Sequence, residues 1–187
     1  MQAERLTRAF HADLEVRGDG RTIVGLAAPF EVPTEIRDHL GHYHETIAPG
    51  AFARTIAERG DRVKLLVQHQ REILPIGRAT VLREDPAGLY GEFRVSATDQ
   101  GDQVLELVRD GALDGLSIGF RTVRDQWSHD RTRRRLIEAR LDEVSVVPFA
   151  AYDDARVLAV RTATSPLLIA ALQRLHERKR VPDDYYL

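Results

Sequence analysis

The sequence predicts a mainly β fold with helices: a closed or nearly closed antiparallel barrel of about seven strands, with peripheral α-helices. Two observations carry this. Short segments of alternating or unbroken apolar residues recur between turns rich in Gly and Pro, and only three stretches change to helical period. Strands and helices do not alternate regularly, which disfavours a doubly wound sheet. With 187 residues, of which 43% are apolar and 30% charged, the chain is long enough for one sizeable core.

In chain order, Leu6 to Val16 and Thr22 to Phe30 read as a hairpin around Arg17-Gly18-Asp19-Gly20, whose glycines suit a tight turn. A loop with Pro33 and a histidine cluster follows. Pro49-Gly50-Ala51-Phe52 leads into a short helix over Ala53 to Arg59, with Phe52 and Ile56 four apart and Gly60 to end it. Val63 to His69 is strand-like, with Val63, Leu65, Val67 and His69 on one face. Leu74 to Arg83 and Leu89 to Ser96 pair around Asp85-Pro86-Ala87-Gly88. Val104, Leu107 and Val108 mark a helix over Thr98 to Asp110, capped by Thr98 or Asp99 and left at Gly111. Ser117 to Val123 and Arg135 to Val147 return to strand character across the polar stretch 124–134. A short strand over Arg156 to Arg161 and a helix over Pro166 to Arg180, striped by Leu168, Leu172 and Leu175, complete the count. No repeat or low-complexity linker is evident.

Composition narrows the chemistry. The absence of cysteine removes disulfides, thiolate nucleophiles and Cys-ligated zinc together. No apolar run approaches the ~20 residues that span a bilayer, so no membrane partner is expected. Met1-Gln2-Ala3-Glu4-Arg5 is not followed by the apolar segment of a secretory signal, so synthesis in the cytosol is expected. A net charge of −2 gives no global attraction to nucleic acid. Residues 121–140 hold seven arginines against Asp125, Asp130 and Glu138. A solvated hairpin accounts for them better than a nucleic-acid surface, since Trp127 alone makes no stacking platform.

Without cysteine, acyl transfer falls to a hydroxyl, which needs an imidazole to take its proton and an acceptor to orient that imidazole. Ser117, His69 and Glu143 can supply the three groups. Leu116, Ile118 and Phe120 alternate against Ser117 and Gly119, so anchoring side chains lie opposite the serine, and Gly119 leaves space for a peptide or a neighbouring strand. On pattern alone Ser117 reads first as a serine on a wet strand face. His69 ends an apolar face, where it can be a neutral base or a histidine with a structural hydrogen bond. Leu141, Glu143, Ser145 and Val147 share a strand face, and a carboxylate in so apolar a run needs a partner. His69 qualifies, as does Arg140 or another basic side chain, and Asp142, on the other face, competes weakly with Glu143 for the orienting role. His39-Leu40-Gly41-His42-Tyr43-His44-Glu45 is the one metal-like cluster. It lacks a His-Glu-x-x-His helix, and the chain has no phosphate-binding or dinucleotide fingerprint. Neither metal nor cofactor is expected.

Four ordered blocks then carry a family resemblance: Ile47-Ala48-Pro49-Gly50-Ala51-Phe52; Leu65-Leu66-Val67-Gln68-His69 with Leu74-Pro75-Ile76-Gly77; Gly115-Leu116-Ser117-Ile118-Gly119-Phe120; and Leu141-Asp142-Glu143-Val144-Ser145-Val146-Val147-Pro148. Together with Gly88-Leu89-Tyr90-Gly91-Glu92, they resemble the prohead maturation serine proteases of tailed bacteriophages and gene transfer agents, over roughly residues 20–160. Gln68 stands where that family commonly has asparagine, and Ala150-Ala151 where many members have proline-alanine. The resemblance implies a fold like that of the herpesvirus capsid-assembly proteases, with Ser117 as nucleophile, His69 as base and Glu143 as third member. It implies a serine endopeptidase acting on the scaffolding segment of the major capsid protein, or on a separate scaffold protein, and on itself, within the assembling procapsid in the bacterial host cytoplasm. Herpesvirus relatives act as homodimers, a state that no residue pattern here fixes. The contrasting reading is a non-catalytic scaffold or capsid-binding barrel. The expected division is a protease domain over 1–162 and a helix and tail over 163–187, removable by self-cleavage.

Overall fold

The computed structural model describes residues 4–148, apart from Asp13 and Asp19. The strand expected over Arg156 to Arg161, the helix over Pro166 to Arg180 and the 162/163 division lie outside the described residues. Ten strands and two α-helices are present among those described: β1 Arg5–His11, β2 Glu15–Arg17, β3 Thr22–Pro29, β4 Thr34–Asp38, β5 Gly41–Ile47, α1 Ala53–Arg59, β6 Lys64–Val67, β7 Gly77–Asp85, β8 Gly88–Val95, α2 Asp99–Arg109, β9 Gly115–Trp127 and β10 Arg133–Val147.

The expected closed antiparallel barrel of about seven strands is not what forms. The sheet runs β1-β9-β10-β6-β7-β8-β3-β2, with β5 and β4 branching from β10. Its eight-strand path is mixed and open, a half-barrel sweeping 224°. The reason lies in β10, which pairs antiparallel with β9 along one edge and gives its other edge to two parallel strands. β5 pairs with Arg133–Leu136, and β6 with Glu143–Val146. Between them the start of α1 fills the ladder: Ala139 N–H donates to the Ala51 carbonyl at 2.9 Å, and Leu141 N–H to Thr55 Oγ1 at 3.2 Å. That split sends two branches away from one strand. β3 packs over β1 and β9 without a ladder, Leu14, Ala12 and Leu116 closing around Gly25.

Segments read as simple strands are divided accordingly. Leu6 to Val16 is two elements: β1 pairs with β9, while β2 forms the hairpin with β3. The loop expected after Pro33 is the β4–β5 hairpin. One buried apolar cluster holds Phe10, Phe30, Phe52, Leu65, Phe93, Leu116, Ile118, Phe120, Leu141, Val144 and Val146, and α2 adds to it. α2 is capped by Thr98, whose hydroxyl accepts from Gly101 N–H, and buries Val104, Leu105 and Val108. Leu107, expected on that stripe, is exposed. No helix among the described residues is long and apolar enough to cross a membrane.

Candidate active site

Ser117 lies near the start of β9, its third residue, between Ala9 of β1 and Ser145 of β10. Leu116, Ile118 and Phe120 anchor the strand in the core, so Ser117 and Gly119 point to the opposite face, as their alternation requires. That face is not wet: Ser117 is 1% exposed.

Glu143 reaches the same face through an irregularity in β10. Leu141 pairs with Phe120 and Glu143 with Gly119, so the register shifts between them, at Asp142. A bulge reverses the alternation that follows it. Leu141 therefore belongs to the core, not to the face of Glu143, Ser145 and Val147 as strict alternation predicts. Asp142 meets the Arg121 guanidinium at 3.2 Å.

His69 comes from beyond the end of β6. Gln68 and His69 both adopt left-handed backbone, with φ of 49° and 59°, a conformation uncommon outside glycine. The chain thus turns back over β10 where a continued strand would carry the imidazole past it. Three amides pin the turn. Gln68 N–H donates to the Val146 carbonyl at 3.1 Å and Gln70 N–H to the Val67 carbonyl at 3.0 Å. His69 N–H donates to Ser145 Oγ at 3.0 Å.

These elements bring the three expected side chains into one chain of contacts. His69 Nε2 lies 2.6 Å from Ser117 Oγ, and His69 Nδ1 lies 2.6 Å from Glu143 Oε1. A carboxylate only accepts, so Nδ1–H donates to Glu143 and Nε2 is left to accept from the Ser117 hydroxyl. The His69 side chain is 21% exposed and that of Glu143 4%, which leaves the imidazole as the accessible part of the row.

Two partners were not singled out as site residues in the sequence. Ser145 Oγ, which accepts from His69 N–H, donates to Glu143 Oε2 at 2.7 Å, tying the turn to the carboxylate. Its position two residues after Glu143 on one strand face was the available signal. Arg5 donates from its terminal nitrogen to Glu143 Oε1 at 2.5 Å, so the guanidinium that meets Glu143 is that of Arg5 and not of Arg140. Only the β1–β9 pairing places it there. Space at Gly119 goes to this pair and not to a peptide or strand: a Cβ there would overlap the Glu143 carboxylate and the Arg5 guanidinium.

The histidine cluster stands apart on β4–β5. His42 Nε2 lies 2.6 Å from Glu35 Oε1, and His39 pairs with Glu4. Among the described residues no three His, Asp or Glu side chains converge as a metal site. In the arginine-rich hairpin, Arg134 is buried, donating to Glu45 at 3.0 Å and to Asp125 at 2.7 Å. Arg8 donates to the same Glu45 at 2.7 Å, and Arg131 stacks on Trp127.

Residues 11–168 match the family described as Caudovirus prohead serine protease. The chain belongs to that family. It is 28% identical over 153 residues to the prohead protease of Enterobacteria phage HK97, covering 80% of this chain and 65% of that protein. The chain thus spans somewhat less than two thirds of the length of that relative. The fold is also that of the bacteriophage T4 capsid assembly protease, with a TM-score of 0.60 at 14% identity, covering 79% of this chain and 99% of the other. The family match accords with the resemblance carried by the four sequence blocks.

Proposed function

We propose that this prohead protease family member is an active serine endopeptidase in which Ser117 is the nucleophile, His69 the general base and Glu143 the group that orients the imidazole. The observation that carries the reading is the continuous row Ser117 Oγ, His69 Nε2, His69 Nδ1 and Glu143 Oε1, with 2.6 Å at both links. Such a row is what a hydroxyl nucleophile needs, because its proton must leave as the new bond forms.

Ser117 Oγ attacks the scissile carbonyl carbon while its proton passes to His69 Nε2. The imidazolium, held through Nδ1–H on Glu143, gives that proton to the amine as the peptide C–N bond breaks, leaving an ester on Ser117. Water then attacks the ester and yields its proton to Nε2, and the proton returns to Ser117 Oγ as the acid is released. Glu143 holds the tautomer and favours the imidazolium without itself taking a proton. The amides of Gln68, His69 and Gln70 each already have an acceptor, so the oxyanion donors belong to another segment.

For substrates, the relatives are a prohead protease and a capsid assembly protease by name. By analogy we assign this chain the scaffolding segment of the major capsid protein, or a scaffold protein, within the assembling procapsid, and a segment of itself after the β10 strand. Co-expression with the major capsid protein, followed by intact-mass analysis, tests this. Wild type yields processed chains and Ser117→Ala does not. Equal processing by Ser117→Ala would remove the nucleophile assignment and favour the non-catalytic capsid-binding reading.

A further inference from the structure

Arg5 donates to the same Glu143 oxygen, Oε1, that receives His69 Nδ1. It lies before residue 11, where the match to the prohead protease family begins. Its side chain is 20% exposed against 4% for Glu143, so the guanidinium forms one wall of the carboxylate's site. It is held there by β1, whose Arg5 pairs in register with Arg121 and whose Thr7 pairs with Gly119. β1 is the terminal strand of the sheet path, and Gly119 is the position that leaves room for both charged groups.

We propose that Arg5 is a positioning residue for the catalytic row, so that an N-terminal edge strand completes the active site. This rests on the reading of Ser117, His69 and Glu143 given above. Glu143 has two oxygens and one rotatable end. Ser145 Oγ holds Oε2, and Arg5 holds Oε1, the oxygen that Nδ1 meets. A charge-assisted hydrogen bond to a carboxylate is short and directional, and a guanidinium presents its donors in a rigid fork. Without Arg5, the carboxylate turns about its Cγ–Cδ bond, the imidazole loses its fixed acceptor, and Nε2 drifts from Ser117. The other charged groups around the carboxylate are Asp142, which lies 4.0 Å from Arg5 Nε, Arg121 against Asp142, and Lys64, the register partner of Glu143 on β6. Among the described residues the donors to Oε1 are Arg5 and His69, so none of these groups substitutes for Arg5. The site is thereby coupled to docking of β1: when the strand leaves β9, the row loses its anchor.

Labelling by a fluorophosphonate, which reports attack by an activated serine hydroxyl, separates positioning from fold. In Arg5→Ala the labelling rate at saturating probe falls by on the order of 10- to 100-fold, with half-saturation changed by less than about threefold. Millimolar guanidinium chloride restores much of the rate, whereas equal sodium chloride does not. In proton NMR spectra the downfield Nδ1–H resonance of a carboxylate-bound imidazole is present in wild type, weakened in Arg5→Ala and returned by guanidinium. Wild type that fails to label at Ser117 overturns the underlying mechanism. Wild type that labels, with Arg5→Ala labelling at the same rate, overturns the Arg5 role alone. A loss that guanidinium does not reverse, accompanied by a fall in Tm, assigns Arg5 to the stability of β1 and equally overturns it.

Discussion

Glu143 receives three donors, from His69, Arg5 and Ser145, and its side chain is almost wholly buried. An unpaired carboxylate there would cost several kcal/mol, so its surroundings are as constrained as a core. Gly119 shows how tightly. Replacing it by alanine would drive a Cβ into the Glu143 carboxylate and the Arg5 guanidinium. We expect Gly119→Ala to lower fluorophosphonate labelling by on the order of 100-fold while the far-ultraviolet circular dichroism stays that of wild type. An unchanged labelling rate would mean that the carboxylate does not depend on this gap. That Ser117, His69 and Glu143 would meet was legible because acyl transfer without cysteine leaves few candidate groups and the ordered blocks select among them. Arg5 was not legible: nothing local in Glu4-Arg5-Leu6 distinguishes it, and its meaning arises only from pairing over 138 positions of chain.

At the scale of elements, β10 shapes the site more than β9, which carries Ser117. Its edge changes partner from β5 to β6, and Thr55 covers the join by accepting from Leu141 N–H. Thr55→Val keeps the shape and strands that buried donor, so we expect a loss of about 1–3 kcal/mol in urea unfolding. A change below the error of the measurement would contradict the join. The turn between β9 and β10 gives a prediction in pH. Asp130 accepts from Ser128 Oγ at 2.6 Å, and from Thr132 N–H and Oγ1. Those bonds, that of Ser128 foremost, bring its pKa from 3.8 down to about 2. The folded carboxylate therefore gives up its proton more readily than the unfolded one. Its contribution is present above pH 3.8 and is lost as the pH falls through about 2. Asp130→Ala should lower Tm at pH 7, with the difference from wild type shrinking across that window. A difference independent of pH would reject the hydrogen-bonded turn as its source. The short α1, the Thr98 cap and the β7–β8 turn were legible because their signals are local. The bulge at Asp142 and the left-handed pair Gln68–His69 were not, since neither involves a glycine or proline that would announce it.

For the whole molecule, the mainly β character follows from short apolar segments divided by turns, but closure does not. Whether an edge is shared by one strand or two depends on lengths and registers far apart in the chain, which hydrophobic period does not encode. β1 illustrates this: it reads as half of the first hairpin, yet it pairs with β9 beside Ser117 and leaves β2 to pair with β3. The same placement links the ends of the described chain. β1 and β10 flank β9 on either side, so Arg5 and Glu143 stand on the two strands that border Ser117. Activation of Ser117 as a nucleophile through His69 is tested by a fluorophosphonate reaction on the full chain, with the adduct located by peptide mass spectrometry. We expect one adduct, on Ser117, that is lost in Ser117→Ala and strongly slowed in folded His69→Ala. An adduct on another residue, or equal labelling of Ser117 in folded His69→Ala, would contradict it.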